Sequence, residues 1–423
     1  MDQTARRLPL EGIRVLDLTI AYSGPFASYL LAALGAEVIK VEHPVGGDLS
    51  RTNPPYVGAA GLSLTAPDDS YVSLANINRC RNKLSVTLDL KGGHAAGVMA
   101  DLVKVSDVVI ENMSSGALDR LGFGYSWASA VNPRIVFCSI SGFGVGTTGP
   151  DAKSFDMVVQ ALSGIMEATG EPAGLPTRIG IPIGDLIAPL FAVIGLLAAL
   201  RHRDVTGQGQ LVDVGMLDAL TALIAGEHFD AMDACGVGVR TGNSLARMSP
   251  FGTYQARDGL VAVCAPSNAF AERLFRLMGR LDVLADPRFS SREVRVANRE
   301  PLDDLINAWT SEFDSAELVA LLTENGIPAA PVRGPLEAIA DERVIRRGAV
   351  VPLADPRVAD TRGAVGMGFP VQFSASRVLT NGVAPTLGQH NKDVLVGLLG
   401  YAEERVAEIC APAGRTPGTV PVT

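Results

Sequence analysis

Aliphatic side chains at Ile13, Val15, Leu16 and Leu18 crowd residues 13–19 (IRVLDLT) and predict a strand. Residues 21–25 contain Gly24 and Pro25 and read as a loop. Apolar positions at helical spacing over 26–34 predict a helix that Gly35 stops. Residues 38–41 (VIKV) supply the next strand, so the spacing is that of a βαβ unit and its strands must be parallel. The pattern returns as strand 84–88, helix 94–105, strand 107–111 and strand 135–141. This alternation over the first ~145 residues predicts a doubly wound α/β domain.

Beyond residue 150 the pattern changes. Residues 155–167 and 185–201 look helical, with a Gly- and Pro-rich loop between them, and 215–230 predicts a further helix. Residues 254–265 alternate like a hairpin around Asp258-Gly259, and short amphipathic helices are expected at 269–278, 299–310 and 315–325. A smaller α+β domain over 225–330 follows from this. The parts are then 1–224, 225–330 and 331–423, the last rich in Pro and Gly and ending in an amphipathic helix at 391–399.

Composition narrows the class of protein. The chain has 423 residues, 47% of them hydrophobic and 19% charged, which fits a large buried core and not disorder. A net charge of −9 argues against a nucleic-acid partner, although a few local cations still suffice for a small anionic ligand. The five cysteines form no CxxC pair and are odd in number, so a disulfide framework and a zinc ribbon are not expected, and a reducing cytoplasm is. The opening MDQTARRLPLEG has no apolar core of a leader, so no secretory signal is expected. The longest apolar run, 186–200, is 15 residues, short of the ~18–20 a membrane span needs, so no membrane partner is expected.

Most chemical motifs fail on their context. Gly144, Gly146 and Gly149 match GxGxxG, but Pro150 and Asp151 follow where a helix should open. The five histidines show no metal-ligand spacing, so no metal site is expected, and neither a GxSxG elbow nor a Walker A loop occurs. Gly184-Asp185 stands out because the carboxylate sits against the apolar run. It reads either as a helix N-cap or as a poorly solvated carboxylate that serves as nucleophile or base, and the two readings are compatible.

Several segments together resemble one family. GIRVLDLT, LGAEVIKVEHPVGGDLSR, RNKLSVTLDLK, DVVIENMSSGALDRLGFGY, NPRIVFCSISGFG, FDMVVQALSG, IGDL, TGQGQLVDV, GIPAAPV and APTLGQHNKDVL run in order over nearly the whole chain. In these the chain resembles the class III CoA-transferases, which include formyl-CoA transferase and carnitine CoA-transferase. The resemblance implies a Rossmann-like large domain, a small domain, a C-terminal return to the large domain and an interlocked homodimer. It implies no tightly bound cofactor, with coenzyme A or acyl-CoA and a small carboxylic acid as substrates and succinyl-CoA a common donor.

The same resemblance implies roles for residues. Asp185 matches the family nucleophile, which forms a mixed anhydride and then a CoA thioester. Tyr22, Ser23, His43, Leu88, Asp89, Leu90, Lys91, Asn112, Met113, Ser114, Arg120, Ala152, Lys153, Ser154 and Phe155 fall at CoA-binding positions. His43 stands where formyl-CoA transferase has an Arg, and Met113 replaces an aromatic residue. Read without the resemblance, Lys91, Arg120 and Lys153 are equally well solvated surface charges. Asp156 falls where relatives have a carboxylate near the nucleophile, either positioning the site or capping its own helix. Gly242, Asn243 and Arg247, in the loop 241–250, are candidates for the acceptor pocket or members of a surface turn. Two other readings stay open: an α-methylacyl-CoA racemase, whose second base would be a His where this chain has Phe155, and a non-catalytic CoA-binding protein.

Overall fold

The computed structural model describes residues 7–147 and 153–410. These fall into two compact units, one built from the described residues of 1–163, 180–223 and 339–423, the other from 164–179 and 224–338. Residues 164–179 therefore pack with the second unit, although they lie within the 1–224 stretch of the sequence.

The first unit is organised by a parallel sheet. Its elements in chain order are β1 (Arg14–Asp17), α1 (Ser23–Ala33), β2 (Glu37–Glu42), α2 (Leu74–Cys80), β3 (Lys83–Thr87), α3 (Ala95–Val105), β4 (Val108–Glu111) and β5 (Val136–Ser141). They continue with α4 (Asp156–Leu162), α5 (Ile183–Thr206), β6 (Leu211–Gly215) and α6 (Met216–Ala225). The sheet order is β3-β2-β1-β4-β5-β6, and every pairing is parallel. This is the strand order of doubly wound nucleotide-binding sheets, which reverse direction of growth between β1 and β4. Val15, Leu16, Ile39, Val108 and Val109 are fully buried, because helices cover both faces of such a sheet.

The residue pattern located this sheet but missed three details. Helix α1 begins at Ser23, not at 26, because Pro25 sits in the first turn, where its missing N–H costs nothing. A Cβ on Gly24 would lie 2.4 Å from Thr19 Cβ, so only glycine allows this close approach. Strand β6 went unread because it runs into α6 without a break, just ahead of the expected helix 215–230. The helix expected over 155–167 divides at Gly164 (φ +86), where the chain passes between units.

The 15-residue apolar run is the middle of a longer element. Helix α5 has 24 residues and, against the expectation from the 15-residue run, is by length and composition alone long and apolar enough to cross a bilayer. Within the unit it packs on α1, β5 and β6 through Ala188, Ala192, Leu196 and Ala199, as a core helix does.

Buried charges tie the sheet to its helices. Asp17, at the end of β1, receives Lys83 Nζ at 3.1 Å and the Ser28 hydroxyl at 2.7 Å, while Lys40 Nζ reaches Asp48 at 2.7 Å. Edge strand β3 is covered by the returning C-terminal segment. The Thr87 N–H donates to Asn391 Oδ1 at 2.8 Å, and the His390 N–H donates to Ser85 O at 2.9 Å. The expected helix 391–399 is a short, wide turn at Asp393–Leu398, and a further helix follows at Glu403–Cys410.

The second unit has its own core. Strands β7 (Phe251–Ala256) and β8 (Gly259–Cys264) form the expected hairpin, and β9 (Ala329–Pro331) adds a third antiparallel strand. Helices at Asn268–Leu277, Arg299–Thr310 and Ser315–Glu324 bury Phe275, Leu302, Ile306, Leu318 and Leu322 against Val261 and Val263.

Burial alone would raise the Asp17 carboxyl. Lys40, Lys83 and the Thr19 and Ser28 hydroxyls outweigh it and bring it down to about 2. Its contribution to stability is therefore complete above its ordinary value and is lost as pH falls through about 2. Asp17→Asn should destabilise the fold by about 3–5 kcal/mol in urea unfolding at neutral pH, because Lys83 is left buried without its carboxylate. A change within about 0.5 kcal/mol would show that the cluster is not a structural constraint.

Candidate active site

Asp185 is the third residue of α5. The N-cap is Pro182, which offers no side-chain acceptor, so the reading of Asp185 as N-cap is corrected. Asp156, the first residue of α4, does that work instead. Its Oδ1 accepts the Gly184 N–H at 2.8 Å, and its Oδ2 accepts Gln160 Nε2 at 2.7 Å. Gln160 is buried and also donates to Ile181 O at 3.3 Å. Glycine at 184 permits this approach: a Cβ there would lie 3.0 Å from Val159 Cγ2 and 3.1 Å from Asp156 Oδ1.

The surroundings alter the chemistry of Asp185. Burial lifts its carboxyl, the neighbouring Asp156 charge lifts it further, and Arg79 opposes both, leaving it at about 6. The positive end of the α5 dipole favours the ionised form. At neutral pH the group is thus mostly ionised, poorly hydrated and more basic than a surface carboxylate. That combination suits nucleophilic attack on an acyl group.

The parallel sheet sets out the other sequence candidates. Tyr22 and Ser23 follow β1, His43 follows β2, residues 88–91 follow β3, and 112–114 follow β4. Parallel strands put these four loops along one carboxyl edge, and β1 and β4 flank the point where the order reverses. Helix α5 leads by a short turn into β6 and runs against it, so Asp185 at its start belongs to the same edge.

Side chains at these positions differ in availability. Ser23 and Leu88 are buried. Leu90 and Met113 pack against the core. Asp89 Oδ1 accepts the Lys91 N–H at 2.9 Å. Asn112 is committed to the backbone of Ile20, accepting its N–H at 2.8 Å and donating to its carbonyl at 2.9 Å, which fixes the loop that carries Tyr22. His43 is exposed, with Nδ1 2.9 Å from Val45 O. Lys91, Ser114, Arg120 and Lys153 are exposed, Ser154 is half-buried, and Phe155 is 72% exposed. Ala152 lies outside the described residues.

Gly242, Asn243 and Arg247 belong to the second unit. Gly242 (φ +59) lies against Glu171, Asn243 is exposed, and Arg247 pairs with Glu227 at 2.7 Å. Two residues near Asp185 escaped the sequence reading. Gln160 looked like a polar position on a helix, and Arg79 sits on a seven-residue helix with no periodic signal.

The chain matches CoA-transferase family III over residues 10–391. It belongs to that family. It is 33% identical over 401 residues to a succinate–glutarate CoA-transferase of Agrobacterium fabrum, covering 94% of this chain and 97% of the relative. It is 36% identical over 407 residues to a succinyl-CoA–D-citramalate CoA-transferase of Chloroflexus aurantiacus, covering 95% and 97%. A solved CAIB/BAIF family protein from Brucella suis superposes with a TM-score of 0.79 at 30% identity, covering 93% of this chain and all of that one. The α/β architecture with a parallel central sheet is thus shared with solved relatives, and the Gly184-Asp185 turn lies inside the matched family region.

Two substitutions test the geometry. Asp156→Asn removes the like charge but keeps an oxygen for the Gly184 N–H, so the acid limb of the pH–activity profile should move to lower pH. An unmoved limb would remove Asp156 from the electrostatics of the site. Gly184→Ala should lower activity by about tenfold or more, because the added methyl presses on Val159 and on the Asp156 carboxylate beside Asp185. Unimpaired steady-state turnover would contradict that.

Proposed function

We propose that this family III CoA-transferase moves CoA from an acyl-CoA donor, succinyl-CoA among them, to a small carboxylic acid, with Asp185 as the nucleophile. The observation carrying this reading is a carboxylate in the first turn of an apolar helix, shifted up to about 6 and held beside Asp156. The relatives named for succinate, glutarate and citramalate support dicarboxylic acids as the acceptor class.

The steps balance without any other group. An Asp185 oxygen attacks the thioester carbonyl, the C–S bond breaks, and CoA thiolate leaves a mixed anhydride. The thiolate attacks the Asp185 acyl carbon, releasing the donor acid and forming an Asp185–CoA thioester. The acceptor carboxylate then attacks that carbon and expels the thiolate, giving a second anhydride. The returning thiolate attacks the acceptor carbonyl, and Asp185 leaves as a carboxylate. A carboxylate nucleophile keeps the acyl group activated at every stage, provided water is kept away from it.

In this reading the carboxyl edge of the sheet holds CoA. Lys91, Arg120 and Lys153 are exposed cations able to meet its phosphates, with His43 in place of an arginine. The loops after β1 and β4 lie on the same edge beside the bound CoA, and no tightly bound cofactor takes part. Phe155 carries no titratable group, so a two-base racemase lacks a partner there. The apolar side chains Phe155, Met157, Leu162, Phe191 and Ile194, exposed just before α4 and on α4 and α5, fit a homodimer interface. The five free thiols fit the cytoplasm.

Asp185→Ala should lower CoA exchange between succinyl-CoA and a free acid by about a thousandfold or more. Hydroxylamine added during turnover should modify Asp185, as read by peptide mass mapping. Exchange surviving the substitution, or modification elsewhere, would overturn the assignment. Sedimentation should show a dimer, and a monomer would remove that part of the proposal.

A further inference from the structure

The buried cations of the described residues are nearly all partnered. Lys40 and Lys83 meet Asp48 and Asp17. Arg81 donates to Tyr29, Asn78, Met367 and Thr380. Arg203 pairs with Asp107 at 2.7 Å, and Arg295 donates to Ser249, Phe289 and Asn268. Arg79, at the end of α2, is the exception. It is only 4% exposed, and its Nε and Nη2 have no hydrogen-bond partner. Its guanidinium lies over the Tyr22 ring, 4.1 Å from the centroid, which satisfies the face of the cation but none of its N–H groups.

An unpaired guanidinium in a buried site is costly, so an absent anion accounts for it better than packing does. The two vacant atoms identify that anion. Nε and Nη2 form one edge of the guanidinium, whose parallel N–H groups match the two oxygens of a carboxylate. This chain uses the same edge for its own carboxylates: Arg51 donates from Nε and Nη2 to the two oxygens of Glu42, both at 2.7 Å. Tyr22, half-buried and with no hydrogen bond from its hydroxyl among the described residues, is the group that can turn aside to admit a ligand.

We infer that Arg79 holds the second, non-reacting carboxylate of a dicarboxylic acid substrate in a bidentate pair beside Asp185, and so selects diacids over monoacids. This rests on the transferase reading above. The Arg79 charge also acts on Asp185, which places the two groups in one electrostatic neighbourhood. The reacting end of the acid is the poorer candidate for such a pair. A bidentate guanidinium would occupy the lone pairs that must attack the acyl carbon.

The test compares glutarate with pentanoate, acids of equal chain length, as acceptors from one donor, so that any effect on the donor cancels. Arg79→Met should lower the ratio of kcat/KM for glutarate to that for pentanoate by about 10–100-fold, and Arg79→Lys by less. Thermal melting and calorimetric binding of CoA check that each variant is folded. Should the Met variant fail to fold, the Lys variant decides by the same ratio. Equal losses for both acids, or an unmoved ratio, would overturn the inference while leaving the transferase reading intact. A wild-type enzyme that transfers CoA to no acid would overturn both.

Discussion

The grip of one carboxylate on the first turn of a helix organises the candidate site. Asp156 accepts the Gly184 N–H and is itself held by Gln160, so α4 and the start of α5 are locked at a close separation that glycine at 184 accommodates. The lock has a chemical consequence. It keeps a negative charge beside Asp185, in a place already short of water, and both effects make the Asp185 carboxylate more basic. A single hydrogen-bonded contact thus fixes where the Asp185 carboxylate sits and how basic it is.

The rest of the first unit keeps that contact in register. Helix α5 is held by α1 and the last two sheet strands, and α1 is pinned to β1 through Asp17 and Ser28. Asn112 fixes the loop after β1 from the loop after β4, across the point where strand order reverses. The carboxyl edge is therefore stiff where it supports the backbone and open where cations project. Among the described residues Arg79 is the buried cation with an empty hydrogen-bonding edge, and the proposed diacid selection rests on it.

Much of the architecture was legible in the chain. Aliphatic runs bounded by Gly and polar residues marked strands β1 to β5, and the helices between them required parallel pairing. Strand β6 was not, because LVDVG continues into helix α6 with no turn residue. The isolated carboxylate before an apolar run drew attention to Asp185, but the cap belonged to Asp156, 29 residues earlier, a contact that exists only after folding. Arg79 was silent for the same reason. Its meaning lies in the absence of partners in three dimensions, which no local pattern records.

In the proposed reaction Asp185 exchanges oxygen with the acids it serves. Turnover with a heavy-oxygen-labelled acceptor acid in ordinary water should leave at least one labelled oxygen on the Asp185 carboxylate, found by mass spectrometry of the peptide that contains it. Label absent from that peptide after confirmed turnover, or carried by another residue, would contradict the account.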